Sequence, residues 1–219
     1  MSSINLNTSI DIYCERVSSD LFAEPINFLS NIAFIIAFYI LLRKLKDVSF
    51  SDKSHKRYST ILTYLILLIG LGSFLFHAFG NLWSAFADTL PIMIFILFYL
   101  YIAVRFYLEQ TNLLSVVAII IFLSLNILLG YAGVEEISSY LTALFAMLFI
   151  SAISLVKQEL EISRGLFIAS IIFIISLTFR QIDAFACSYI PFGTHLIWHI
   201  LNAILLYSLV LLFIKRFKK

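Results

Sequence analysis

Seven apolar stretches decide what this chain can become. They run roughly over 26–42, 58–79, 83–104, 112–132, 137–156, 165–182 and 194–214, and a helix needs about 20 such residues to cross the hydrocarbon core of a bilayer. Continuous runs of this length exclude membrane strands, which alternate in polarity over about 10 residues. The chain is 62% hydrophobic and 13% charged, against about 45–50% and about 25% in a soluble domain. The links between stretches are too short for a soluble domain, and no repeat is apparent. The expected fold is an all-α integral membrane bundle of seven transmembrane helices, one domain over 1–219, with residues 1–25 as a polar arm. A net charge of +2 and the lack of a basic stripe give nucleic acid no footing. The first 25 residues lack the apolar run of a cleaved signal, so targeting is expected to rest on the membrane helices.

Orientation follows from lysine and arginine, which collect on the cytoplasmic side. With the N-terminus outside, the inner segments hold Arg43, Lys44, Lys46, Lys53, Lys56, Arg57, Arg105, Lys157, Arg164, Lys215, Arg216, Lys218 and Lys219, and the outer ones only Arg16 and Arg180. Thirteen against two predicts the N-terminus outside and the C-terminus in the cytoplasm.

That orientation brings three distant segments to one depth. His77 ends the second span, Asp88 lies about a turn into the third, and His195 and His199 open the seventh. Ionisable groups in lipid are costly and rare, so their gathering at the outer face calls for a role. Residues four apart on a helix face the same way, so His195 and His199 can share one ion with His77. Three neutral imidazoles suit zinc and leave a fourth position for water, whose pKa the metal lowers to about 7. Asp88 is then a candidate to accept that water's proton or to orient a ligand. Ser73, one turn before His77, is a candidate to hydrogen-bond the water or a developing oxyanion. Taken singly, each has a plainer reading as an interfacial anchor, a packing residue or a helix–helix hydrogen bond. His55 falls in the basic inner link and is excluded as a ligand.

Three motifs, Gly72-Ser73-Phe74-Leu75-Phe76-His77, Asp88-Thr89-Leu90-Pro91-Ile92-Met93 and His195-Leu196-Ile197-Trp198-His199, resemble those of the alkaline ceramidases, and Glu24-Pro25-Ile26-Asn27-Phe28-Leu29-Ser30-Asn31 resembles that family's approach to helix 1. The family consists of seven-helix zinc amidases, in a wider superfamily with the adiponectin receptors. The resemblance implies zinc at His77, His195 and His199, catalytic roles for Ser73 and Asp88, and cleavage of the N-acyl chain of ceramide or a related membrane lipid. It also implies calcium at Asp11, Glu15 and Glu24, although Ile12, Tyr13 and Val17 depart from the family pattern. The plainer reading there is a solvated acidic arm, or a salt bridge from Glu15 or Glu24 to Arg16. A disulfide between Cys14 and Cys187 is implied too, tying the arm over the metal chamber; two free thiols are the alternative.

Arg180 and Asp183 read as an i,i+3 pair, and Trp83 and Trp198 as interfacial anchors, with Trp198 also able to wall the site. Two other functions stay open. A receptor or sensor of the adiponectin-receptor type would use a structural metal, but the inner loops offer a signalling partner little surface. A transporter would spread polar groups along a path, whereas here they gather at one face. The compact length points to a bacterial plasma membrane, with the active site toward its outer face and no obligate protein partner.

Overall fold

A computed structural model describes residues 5–134 and 137–219. Regular structure among them is helical, and the extended pairings are isolated bridges at Ser9–Asn81 and Phe50–Lys218. The first span is α1 (Pro25–Ser30) followed by α2 (Ile32–Asp47), with a break at Asn31. Next come α3 (Lys53–Phe79), α4 (Leu82–Ile102) with a π-helical end over Ala103–Tyr107, and α5 (Asn112–Leu129) with a π-helical end over Gly130–Val134. The chain closes with α6 (Ser138–Val156), α7 (Leu160–Gln181), the short α8 (Asp183–Ala186) and α9 (His195–Phe217). Among the described residues, seven helical spans are long and apolar enough to cross a membrane. They overrun the apolar stretches by a few residues at the basic ends, where long lysine and arginine stems cover apolar surface while their charges reach water.

Polar residues set the helix starts. Asp52 accepts from the Ser54 amide, Thr111 from the Leu114 amide, and Asn81 and Ser84 cap α4 reciprocally, satisfying N–H groups that a helix start leaves free. Gly80, in the left-handed region, ends α3 one residue before that cap. The resulting turn is tight, so α4 runs back directly along α3.

Helices in lipid gain little from apolar burial and associate through close packing and hydrogen bonds. The tightest approach is at Gly72, where a Cβ would collide with the Ala87 carbonyl and lie 3.0 Å from Asp88 Cα. That carbonyl is free to pack there because Pro91, four residues on, has no N–H to give it. Gly70 and Gly165 likewise admit Phe34 and Leu212. The central elements are α3 and α9, 61% and 56% buried over their most apolar windows, whereas α5 is 11% buried and contributes only Ser115 and Phe122 to the buried set. In the α5–α6 hairpin Ser138 donates to Asn126 Oδ1 at 2.7 Å, so this amide within the span is a packing contact.

The two ends of the bundle differ. One gathers the basic termini: Ser51 N–H donates to Phe217 O at 3.1 Å, Lys157 Nζ donates to Leu108 O at 2.8 Å, and Arg216 pairs with Glu159 at 2.7 Å. The N-terminal arm folds over the other.

Candidate metal centre and its cavity

His77, His195 and His199 meet at the arm-covered end. Each is buried, and one ring nitrogen of each lies within 4.8 Å of the other two, a grouping that could hold a metal ion. Ring centroids are 4.7 Å apart for His77–His199, 4.5 Å for His195–His199 and 5.3 Å for His77–His195. The i,i+4 spacing on α9 and the end of α3 supply the three.

Hydrogen bonds fix two of the tautomers. Glu24 Oε2 is 2.6 Å from His77 Nδ1, and its other oxygen is 2.6 Å from Arg16 Nε. Burial acts to raise the Glu24 pKa, but the hydrogen bonds to His77 and Arg16 and the positive charge facing it outweigh burial and hold the carboxyl below its ordinary value. An ionised carboxylate only accepts, so Nδ1 of His77 carries a proton, and in the neutral ring Nε2 presents a lone pair. At His199, Nδ1 is 2.6 Å from Ser30 Oγ, whose own proton goes to Asn27 O at 2.7 Å. Nδ1 of His199 is therefore also the donor, and its Nε2 is also a lone pair. These two Nε2 atoms stand 3.1 Å apart. Two neutral-ring acceptors at that distance repel unless a proton or a metal ion lies between them. Nδ1 of His195 is buried with no hydrogen-bond partner, and Tyr13 stacks on that ring at 3.6 Å between centroids.

Ser73 Oγ lies 3.4 Å from His199 Nε2. Asp88 faces the same space from α4, half-buried, with His77, Arg180 and the Ser73 hydroxyl as neighbours. Both line a cavity of ≈ 190 Å³ that is otherwise mostly apolar.

The arm is held by its own polar residues. Cys14 and Cys187 are joined as a disulfide, Cα–Cα 5.3 Å. Arg16 Nη2 donates to the His77 carbonyl at 3.2 Å. Glu15 accepts from the Ile26 and Asn27 amides at 2.7 and 2.8 Å, and Asp11 is exposed. Asp11, Glu15 and Glu24 do not converge within ligand reach of one another: among the described residues the histidines alone form such a group. The positive charge facing Glu24 is the Arg16 guanidinium.

Asp183 and Arg180 are engaged differently from the i,i+3 pair that their spacing suggests. Asp183 accepts from the backbone amides of Thr194, His195 and Cys14 at 2.6, 2.9 and 2.9 Å, satisfying the first turn of α9 and anchoring the arm. Gly193, at φ +65°, makes that possible, since a Cβ there would collide with Asp183 Oδ1. Arg180 lies over the rings of Tyr140 and Trp198, 5.4 and 5.7 Å from their centroids. Trp198 is only 6% exposed, so it walls the cavity rather than anchoring in an interface. Four residues around the histidines were not assigned this role from sequence: Tyr13, Glu24, Ser30 and Asp183. A signal existed for two of them, since Glu24, Asn27 and Ser30 recur every three residues at the start of an apolar helix and so share a face.

The Ceramidase family model matches residues 6–216. This covers nearly the whole chain, and the chain belongs to that family. No curated protein matches it. Membership makes it a ceramidase-type amide hydrolase, built here as a multi-pass membrane bundle.

Proposed function

We propose that this ceramidase-family hydrolase binds zinc at His77, His195 and His199 and cleaves the N-acyl amide of ceramide or a related N-acyl lipid. The observation that carries the reading is the convergence of three buried imidazoles, with the Nε2 atoms of His77 and His199 3.1 Å apart. Two nitrogens about 2.0–2.1 Å from a tetrahedral zinc stand roughly 3.3 Å apart, so the donor set fits. Carboxylate and hydroxyl partners on the far ring nitrogens of two ligands are what a zinc site uses to fix its imidazoles. When bound, zinc polarises a carbonyl and lowers the pKa of water to about 7.

The chain's own residues supply the rest. Asp88 takes the proton of the attacking water and returns it to the amine nitrogen as the C–N bond breaks, giving a fatty acid and a free amine. Ser73 hydrogen-bonds the amide oxygen as it gains charge. Tyr13 covers His77 and His195, and Trp198 walls the cavity beside them. We assign Glu24 to orienting His77, and Glu15 with the Cys14–Cys187 bridge to fixing the arm. The basic end of the bundle is assigned to the cytoplasm by its lysines and arginines, which puts the N-terminus and the metal centre on the outer side.

Purified protein incubated with a panel of N-acyl lipids is expected to release fatty acid from at least one. A chelator is expected to abolish that release and added zinc to restore it. Metal-loaded protein that cleaves no N-acyl amide would overturn the proposal.

A further inference from the structure

The cavity has a definite length. On α4 and its π-helical end the lining recurs at Asp88, Ile92, Tyr99 and Ala103, and on α9 at His199, Asn202 and Leu209, three, four or seven residues apart and so along one helix face. From Asp88 to Ala103 the helical rise is about 22 Å, and from His195 to Leu209 about 21 Å. Two helices that run in the same direction from the histidine end thus give the same depth, almost to the basic end.

The inner end is closed. The Tyr99 hydroxyl lies 3.1 Å from both the Leu209 carbonyl and the Tyr107 hydroxyl, and Tyr107 is 1% exposed. Beneath them Tyr107 packs on Phe213 and Phe213 on Phe217, 6.2 and 4.9 Å between centroids. This floor is aromatic and hydrogen-bonded, so it yields less readily than loose aliphatic packing.

We infer that Tyr99, Ala103 and Leu209 form a ruler that sets the longest hydrocarbon chain this enzyme accepts with its amide at the histidines. This rests on the amidase reading above. An extended polypeptide advances about 3.3–3.6 Å over three backbone bonds, about 1.2 Å per bond. An all-trans alkyl chain has nearly the same zigzag, so a depth of about 21 Å holds roughly 17 bonds. Below that limit, added methylenes matter little, because the chain exchanges one apolar medium for another. Above it, the excess must displace packed side chains, a cost of about 1–3 kcal/mol that corresponds to roughly a 5- to 150-fold loss.

The test measures kcat/KM over N-acyl chains from 8 to 24 carbons at a fixed base, with each variant's profile scaled to its own rate on the shortest chain. For the parent, a plateau to about 16–18 carbons and then a drop of roughly tenfold or more is expected. Ala103→Leu raises the floor and is expected to shorten the cut-off by about three carbons; Leu209→Ala lowers it and is expected to lengthen the cut-off. Opposite shifts from two neighbouring positions do not arise from damaged folding. Binding of free fatty acids of the same lengths, read by native mass spectrometry, provides an arm independent of turnover. Shifted binding cut-offs without cleavage of any amide leave the ruler standing and overturn the amidase reading. Amide cleavage with superimposable profiles for all three proteins overturns the ruler and leaves the amidase standing.

Discussion

Glu24→Ala is expected to be the most damaging single substitution outside the histidines. The Glu24 carboxylate answers three buried donors, Arg16 Nε, His77 Nδ1 and Asn27 Nδ2, at 2.6, 2.6 and 3.2 Å. Truncation leaves the Arg16 guanidinium, with 1% of its side chain exposed, buried without its counter-charge, a loss of about 3–5 kcal/mol. It also frees His77 to rotate or change tautomer, and removing such a partner weakens metal binding by about 10- to 100-fold. Glu24→Gln separates the two effects. The glutamine keeps the volume and one acceptor oxygen, so most of the packing survives, while the charge facing Arg16 and His77 is gone. Thermal unfolding in detergent together with a zinc titration reads both. Parent-like melting and parent-like zinc affinity for Glu24→Ala would mean that the buried Arg16–Glu24–His77 chain supports neither the fold nor the site.

Asp88→Asn is expected to retain the metal and lose the reaction. Asp88 is not one of the three residues whose ligand atoms converge, and asparagine matches aspartate in size, so the packing of α4 on Gly72 is kept. What asparagine cannot do is accept a proton from water and pass it to the leaving nitrogen. The expected fall in kcat is about 10²- to 10⁴-fold, with zinc content equal to the parent's. Turnover at the parent rate would remove Asp88 from the role of base, and loss of zinc would show that it helps hold the metal.

Much of this was legible in the sequence because the bilayer imposes its own measure. Span number follows from apolar length alone, and all seven reappear in the fold. The meeting of His77 with His195 and His199 was legible for the same reason: antiparallel spans put residues 77 and 195 at one end of the bundle whatever their lateral packing. Lateral arrangement was not legible. Glu24 reaches His77 across 53 residues and Ser30 reaches His199 across 169, contacts that depend on how the arm and the first span pack sideways against the other spans. Arg180 and Asp183 illustrate the same limit. Their spacing suggests a local pair, but Asp183 lies past the end of α7, where the free amides at the start of α9 compete for its carboxylate and win. The cavity was hidden because every span is apolar, and hydropathy does not tell a residue facing lipid from one facing an internal chamber.

Whether three imidazoles hold one zinc is tested most directly by the metal content of purified protein. Elemental analysis of the parent, His77→Ala and His199→Ala, each exchanged into metal-free buffer at matched folding by circular dichroism, is expected to give about one zinc per chain for the parent and close to none for either variant. Zinc retained at the parent level when His77 or His199 is lost, or a folded parent that hydrolyses lipid amides with no zinc, would contradict it.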